Sequence, residues 1–174
     1  MSAGLSTKKL LVAFGIFASA IVGIFVLLVG LMFSFIEPTA IDDSDQDYLA
    51  LQRFFRNPPT ELMQSHLLDG SFFGDIEKAF AVRVTGMDTE LLWQQQGVVR
   101  GDRLTAELDE AVEFIGNMLD SGYVDWFPSL DEIRRDSHYV YPINIVTRGG
   151  YPNAARLIIM RPFDDMAFFA YLEY

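Results

Sequence analysis

The chain has two imidazoles, His66 and His138, and each directly follows a serine, Ser65 and Ser137. A serine nucleophile needs a base to take its proton, so these pairs are the first place to look for acyl-transfer chemistry. Neighbouring residues on a helix or strand do not face one another, however, and neither pair is expected to couple as nucleophile and base. No HExxH, glycine-rich phosphate loop or GxSxG elbow occurs in the 174 residues, which removes the local signatures of zinc hydrolases, nucleotide sites and α/β-hydrolases. Cysteine is absent, so there is no thiol nucleophile, disulfide or Cys-based metal site. Asp69, Ser71 and Asp75 in "DGSFFGD" supply oxygens, but the paired phenylalanines between them read as a helix end and a buried staple, not a calcium loop. The expectation is no catalytic residue, no cofactor and no metal.

Residues suited to recognition are more abundant. Of 24 Phe, Trp and Tyr, 19 lie outside the long apolar run near the N-terminus. Trp93, Trp126, Phe127 and Tyr151 fall in or beside expected turns and off the periodic core positions, which makes them candidate interaction anchors. Two other fates for such residues are a place in the core and the lining of one apolar ligand pocket. Arg100-Gly101-Asp102 spells an adhesion tripeptide, but it stands just before an amphipathic helix, where the glycine serves a turn and Asp102 lies near a positive helix end.

Charge narrows the partners. The chain carries −11 overall, and setting aside Lys8 and Lys9 leaves −13 for the remainder. That field repels nucleic acid and anionic headgroups and suits basic, neutral or apolar partners.

The elements that must hold these residues begin with a membrane segment. Leu10 to Ile36 is 27 uncharged residues, 18 of them Leu, Ile, Val or Phe. At roughly −0.3 to −0.6 kcal/mol each near the bilayer centre, they favour insertion by about 5 to 10 kcal/mol. A signal peptidase site is conceivable at Ala18-Ser19-Ala20, but the apolar run continues far past it, so a retained transmembrane helix is expected. Lys8 and Lys9 precede the run, and Glu37, Asp42, Asp43, Asp45 and Asp47 follow it. The positive-inside rule then puts the N-terminal tail, residues 1–9, in the cytoplasm and everything after 36 outside it, in a bacterium in the periplasm. Gly15, Ser19 and Gly23 recur four apart, a face on which two such helices could pack, either as self-association or with another membrane protein.

Residues 37–47 read as an acidic solvated tether, and 48–174 as one domain. Helical spacing of Tyr48, Leu51, Phe54 and Phe55 predicts a first helix stopped by Pro58 and Pro59. A second helix is expected over "PTELMQSHLL", ending at Gly70. "KAFAVRVTG" alternates, with Phe80, Val82 and Val84 on one face, and predicts a half-buried strand; "TELLWQQQ" is expected to be its hairpin partner. Leu104, Leu108, Ala111, Val112, Ile115, Met118 and Leu119 form the stripe of a strong helix with Gly122 as its cap, packed across a sheet. Ser129 and Glu132 predict a capping box. "YVYPINIVT", "ARLIIMR" and "MAFFAYLEY" predict a C-terminal antiparallel meander with Pro142 at an edge or bulge. The class is α+β. Together these features predict a single-pass, membrane-anchored, extracytoplasmic interaction or assembly subunit of a larger membrane complex. The alternative is an anchored small-ligand-binding or sensor domain, followed by a hydrolase whose site is assembled from distant residues.

Overall fold

A computed structural model of the protein describes residues 19, 21–27, 41, 44–55, 61–70, 75–119 and 124–174. The chain divides into two units, Met1–Glu37 and Pro38–Tyr174. In the first, Ser19 and residues 21–27 are helical with exposed side chains. Gly23 has open space where a Cβ would project. Gly15 and both ends of the apolar run lie outside the described residues. Among the described residues no helix is long and apolar enough to cross a membrane.

The second unit is α+β, built on a six-stranded antiparallel sheet. Its strands are β1 (Glu61–Gly70), β2 (Asp75–Arg83), β3 (Val99–Arg100), β4 (Tyr139–Arg148), β5 (Tyr151–Arg161) and β6 (Met166–Glu173), in the order β1-β2-β6-β5-β4-β3. The expected meander β4-β5-β6 is present. Gly149 and Gly150, at φ of 65° and 90°, turn β4 into β5, the left-handed geometry that matches strand twist in a tight hairpin. Pro142 sits at a bulge, where the register shifts between Pro142 and Asn144, and beyond the two residues of β4 that β3 covers. A residue without an N–H is tolerated there because no neighbouring strand needs it.

Both faces of the sheet are covered. On one, α3 (Ala106–Leu119) lays Leu108, Ala111, Val112, Ile115 and Leu119 over Ala79, Ala81, Ala155 and Ala170. The small strand residues let the helix approach closely, and each buried large aliphatic contributes about 1.5–3 kcal/mol. On the other face, α1 (Gln46–Phe54) covers Phe80, Val82 and Val84 with Tyr48 and Leu51. The alternation in β2 therefore divides two buried faces, and the strand is not half-buried as its pattern suggested. The Asp45 carboxylate caps α1 by accepting from the Asp47 and Tyr48 N–H groups. Gly122, Pro58 and Pro59 lie outside the described residues, as does the side chain of Met118. α4 (Leu130–Ile133) has the expected capping box, with the Glu132 carboxylate accepting from the Ser129 backbone N–H and hydroxyl.

Two elements differ from expectation. "PTELMQSHLL" contributes no helix: residues 61–70 are β1, paired with β2 from Glu61↔Arg83 to Gly70↔Asp75. A bulge between Leu62 and Gln64 shifts the alternation by one residue, so Leu62 and Ser65 share a face and the spacing mimics a helix. "TELLWQQQ" is helix α2 (Thr89–Gln94), not a hairpin strand. Asp88 accepts from the Glu90 N–H and caps the helix, while the strand position beside β2 is filled by β6.

The acidic tether also enters the domain. Ile41 is buried with Tyr48 and Phe80. Lys78, buried in β2, donates to both Asp45 oxygens at 2.6 Å and to Asp47 at 2.7 Å. Burial pushes the Asp45 carboxyl up, but the Lys78 ammonium and the Tyr48 and Asp47 N–H groups outweigh it and hold the group below the usual range.

Candidate functional site, a ridge between two clefts

The four aromatic anchors expected from sequence are not brought together. Phe127 is 9% exposed and packs on Phe168 at 5.8 Å between ring centroids, so it belongs to the core beneath α3. Trp126 is half-buried beside it, 6.1 Å from the Phe127 ring. Tyr151 is 76% exposed at the β4-β5 hairpin. Trp93 is 50% exposed and lies beside Tyr139, which pairs with Met160. Nine residues of strand separate Tyr151 from Met160, about 30 Å at ~3.3 Å per residue, so Tyr151 and Trp93 cannot serve one small site.

Trp93 is the best-held of the exposed aromatics. It rises from α2, whose six residues are started by the Asp88 cap and stopped at Gln95, where the backbone N–H returns to the Leu92 carbonyl. Leu92 points into the core. At 100° per residue, one inward leucine sends its two neighbours outward on opposite sides, and Leu91 is 45% exposed. The Trp93 ring meets Tyr139 edge-on at 6.4 Å, and the guanidiniums of Arg100 and Arg103 lie 5.5 and 5.7 Å from its centroid. Such cation–π contacts fix an indole that solvent would leave mobile. Arg100 is itself fixed by two bonds to Asp102, at 2.5 and 2.8 Å, and this bond holds the Asp102 carboxyl below its usual range. The adhesion tripeptide is thus a brace. Gly101 is buried with its N–H on the His138 carbonyl, and a Cβ there would run into the Ile133 and Arg135 carbonyls.

A cleft opens on either side of α2. The larger, about 490 Å³, is lined by Phe54 and Phe55 from the end of α1, Val84, Gly86, Met87, Asp88, Leu91 and Leu92, and by Gln94 and Gln95. The smaller, about 230 Å³, lies among Met87, Thr89, Asp136, Ser137, Tyr139, Pro162 and Phe163. Phe163, at the β5-β6 turn, is 71% exposed. Met87 belongs to both clefts, and Asp165 fixes it: the Asp165 carboxylate accepts the Met87 N–H at 3.0 Å and its carbonyl accepts the Val84 N–H at 2.7 Å. Leu91, Trp93 and Phe163 are large, apolar and exposed, and the two aromatics are held by ring and guanidinium contacts, as suits binding anchors. The rule that singled out Trp93, an aromatic in a turn, applies equally to Phe163. Leu91 carried no such signal until its segment became a helix.

Of the two histidines, His138 borders the smaller cleft, beside Ser137 and 6.3 Å from the Phe163 ring, and His66 lies in β1. Contrary to expectation from adjacency, Ser137 Oγ lies 3.1 Å from His138 Nδ1. That imidazole is buried, and desolvation, Arg161 and Arg135 hold it below its ordinary value, with Glu132 and Asp164 opposing. These surroundings favour the neutral imidazole. His66 Nε2 lies 3.3 Å from the Glu77 carboxylate across β1 and β2. Burial pushes the Glu77 carboxyl up, against the pull of His66. No cluster of three His, Asp or Glu among the described residues could hold a metal.

The chain matches no known family model, no curated protein and no solved structure.

Proposed function

We propose that the protein is a single-pass membrane subunit whose domain, outside the cytoplasm, binds another protein of the same membrane or compartment through the α2 ridge. The membrane placement is supported by the energetics of Leu10 to Ile36 and by the charge difference across that run. The observation that carries the binding role is the solvent-facing Trp93, braced by Tyr139, Arg100 and Arg103. A large aromatic already immobilised loses little side-chain entropy on binding, so most of its burial energy goes into affinity. A second reading, an apolar small-molecule sensor, is supported by the volume of the larger cleft, which falls within the usual ligand range.

The test is crosslinking of the full chain in its native membrane, comparing Trp93→Ala with Tyr151→Ala. Trp93→Ala is expected to lower recovery of a stoichiometric partner by about 30-fold, the hot-spot range, and Tyr151→Ala to leave it unchanged. Equal recovery from the two variants would overturn the assignment to the ridge.

A further inference from the structure

We infer that the larger cleft beside α2 takes one apolar side chain from a partner segment that carries lysine or arginine next to it. The inference rests on the ridge being the binding surface and specifies the chemistry of what binds there. Its floor is Phe54, Phe55, Val84, Met87, Leu91 and Leu92, which accommodate an aliphatic or aromatic group. Its polar lining is one-sided. Asp88 is the single charged side chain among the lining residues, and Gln94 and Gln95 supply neutral amides. Glu90, in the first turn of α2, is exposed but does not line the cleft. α2 has an acid in its first turn and no basic residue in its last, and Arg100 and Arg103, which lie on the Trp93 ring, are not among the residues that line the cleft. Asp88 uses one oxygen to cap α2 and, as an exposed carboxylate, has capacity for a further donor. An acidic partner would meet this lining and the −11 of the whole chain with like charge, whereas a lysine or arginine beside the buried group meets a carboxylate and two amide oxygens. The occupant is therefore a basic, amphipathic protein segment.

The absence of cysteine allows a single reporter thiol. Full chain carrying Gln94→Cys, held in phosphatidylcholine nanodiscs to remove lipid charge, is labelled with a maleimide in the presence of three peptides: Lys-Lys-Phe-Leu-Lys-Lys, Glu-Glu-Phe-Leu-Glu-Glu and Lys-Lys-Gly-Gly-Lys-Lys. The first is expected to slow labelling at least five-fold at saturation, and the other two to leave the rate unchanged. Adding Asp88→Asn, which keeps a capping oxygen for Glu90, is expected to weaken the first peptide by about three- to five-fold, the effect of one exposed ion pair. Equal protection by the glycine peptide or by the acidic peptide, no effect of Asp88→Asn, or equal protection of a Tyr151→Cys reporter would each overturn the inference. If the peptide fails while Trp93→Ala still abolishes partner recovery, the cleft chemistry falls and the ridge stands. If Trp93→Ala recovers its partner in full, the ridge reading falls whatever the peptide does.

Discussion

Replacing Lys78 by methionine tests whether the start of α1 is held by charge. The Lys78 side chain is 9% exposed, and its ammonium lies 2.6 to 2.7 Å from Asp45 and Asp47, whose side chains are 21% and 16% exposed. Methionine fills nearly the same volume, so the loss is electrostatic: two carboxylates remain together without their cation. Removing one partner of a buried pair costs about 3–5 kcal/mol. Two features reduce that here. The carboxylates keep some water, and Arg156 stands 3.9 Å from Asp47 as a partial substitute. A loss of about 2–3 kcal/mol is expected, which for a domain of this size lowers Tm by roughly 6–15 °C. Urea unfolding of the full chain in detergent, followed by tryptophan emission, measures it.

Two controls separate charge from packing. Adding Asp45→Asn and Asp47→Asn to Lys78→Met removes the stranded charges and keeps the α1 cap, and should recover most of the loss. Acid should do the same to the single variant. The folded Asp45 pKa lies below its ordinary 3.8, so its stabilising contribution is complete above that value and disappears as pH falls through the folded pKa. The difference between wild type and Lys78→Met should close over that window. A single variant that loses less than about 1 kcal/mol, or a triple variant no more stable than the single, would refute the argument.

Gly101→Ala should destabilise by more than the ~1–3 kcal/mol of ordinary overpacking, because the added Cβ meets the Ile133 and Arg135 backbone carbonyls, which cannot rotate away; Asp102→Ala should be far milder by urea midpoint, since its ion pair is exposed. For His138, burial, Arg161 and Arg135 lower the folded pKa below 6.5. The unfolded chain therefore binds the proton first, and stability should decline as pH drops below about 6.5. His138→Gln should flatten that slope, read as urea midpoint between pH 7 and pH 5, and an unchanged slope would show that another group is responsible.

The sequence was legible where one local pattern sufficed. The stripe of α3 repeats at helical spacing, β4, β5 and β6 are extended runs bounded by turn residues, and the structure keeps them. β1 was obscured by one residue, because the bulge at Met63 resets the alternation. α2 was obscured by its neighbours. After an alternating strand and the turn at Gly86, with φ of 73°, a hairpin is the local expectation, and only the distant β6 occupying that edge of β2 excludes it. The site followed the same division. Trp93 was visible as an aromatic near a turn. Its brace was not, since Arg100, Arg103 and Tyr139 converge on it through the β3-β4 pairing.

The same long-range assembly ties the clefts to the rest of the domain. α1 is clamped at its beginning, where Asp45 and Asp47 meet Lys78, and at its end Phe54 and Phe55 form a wall of the larger cleft. Nine residues of helix separate clamp and wall, about 14 Å at 1.5 Å per residue. A hydrogen-bonded helix of that length moves largely as one body, so freeing its first turn also frees the wall. Variants at Lys78 must therefore be compared for binding only at temperatures where both proteins are fully folded. An affinity change that persists there reports on the position of α1, whereas one that vanishes reports only on the unfolded fraction.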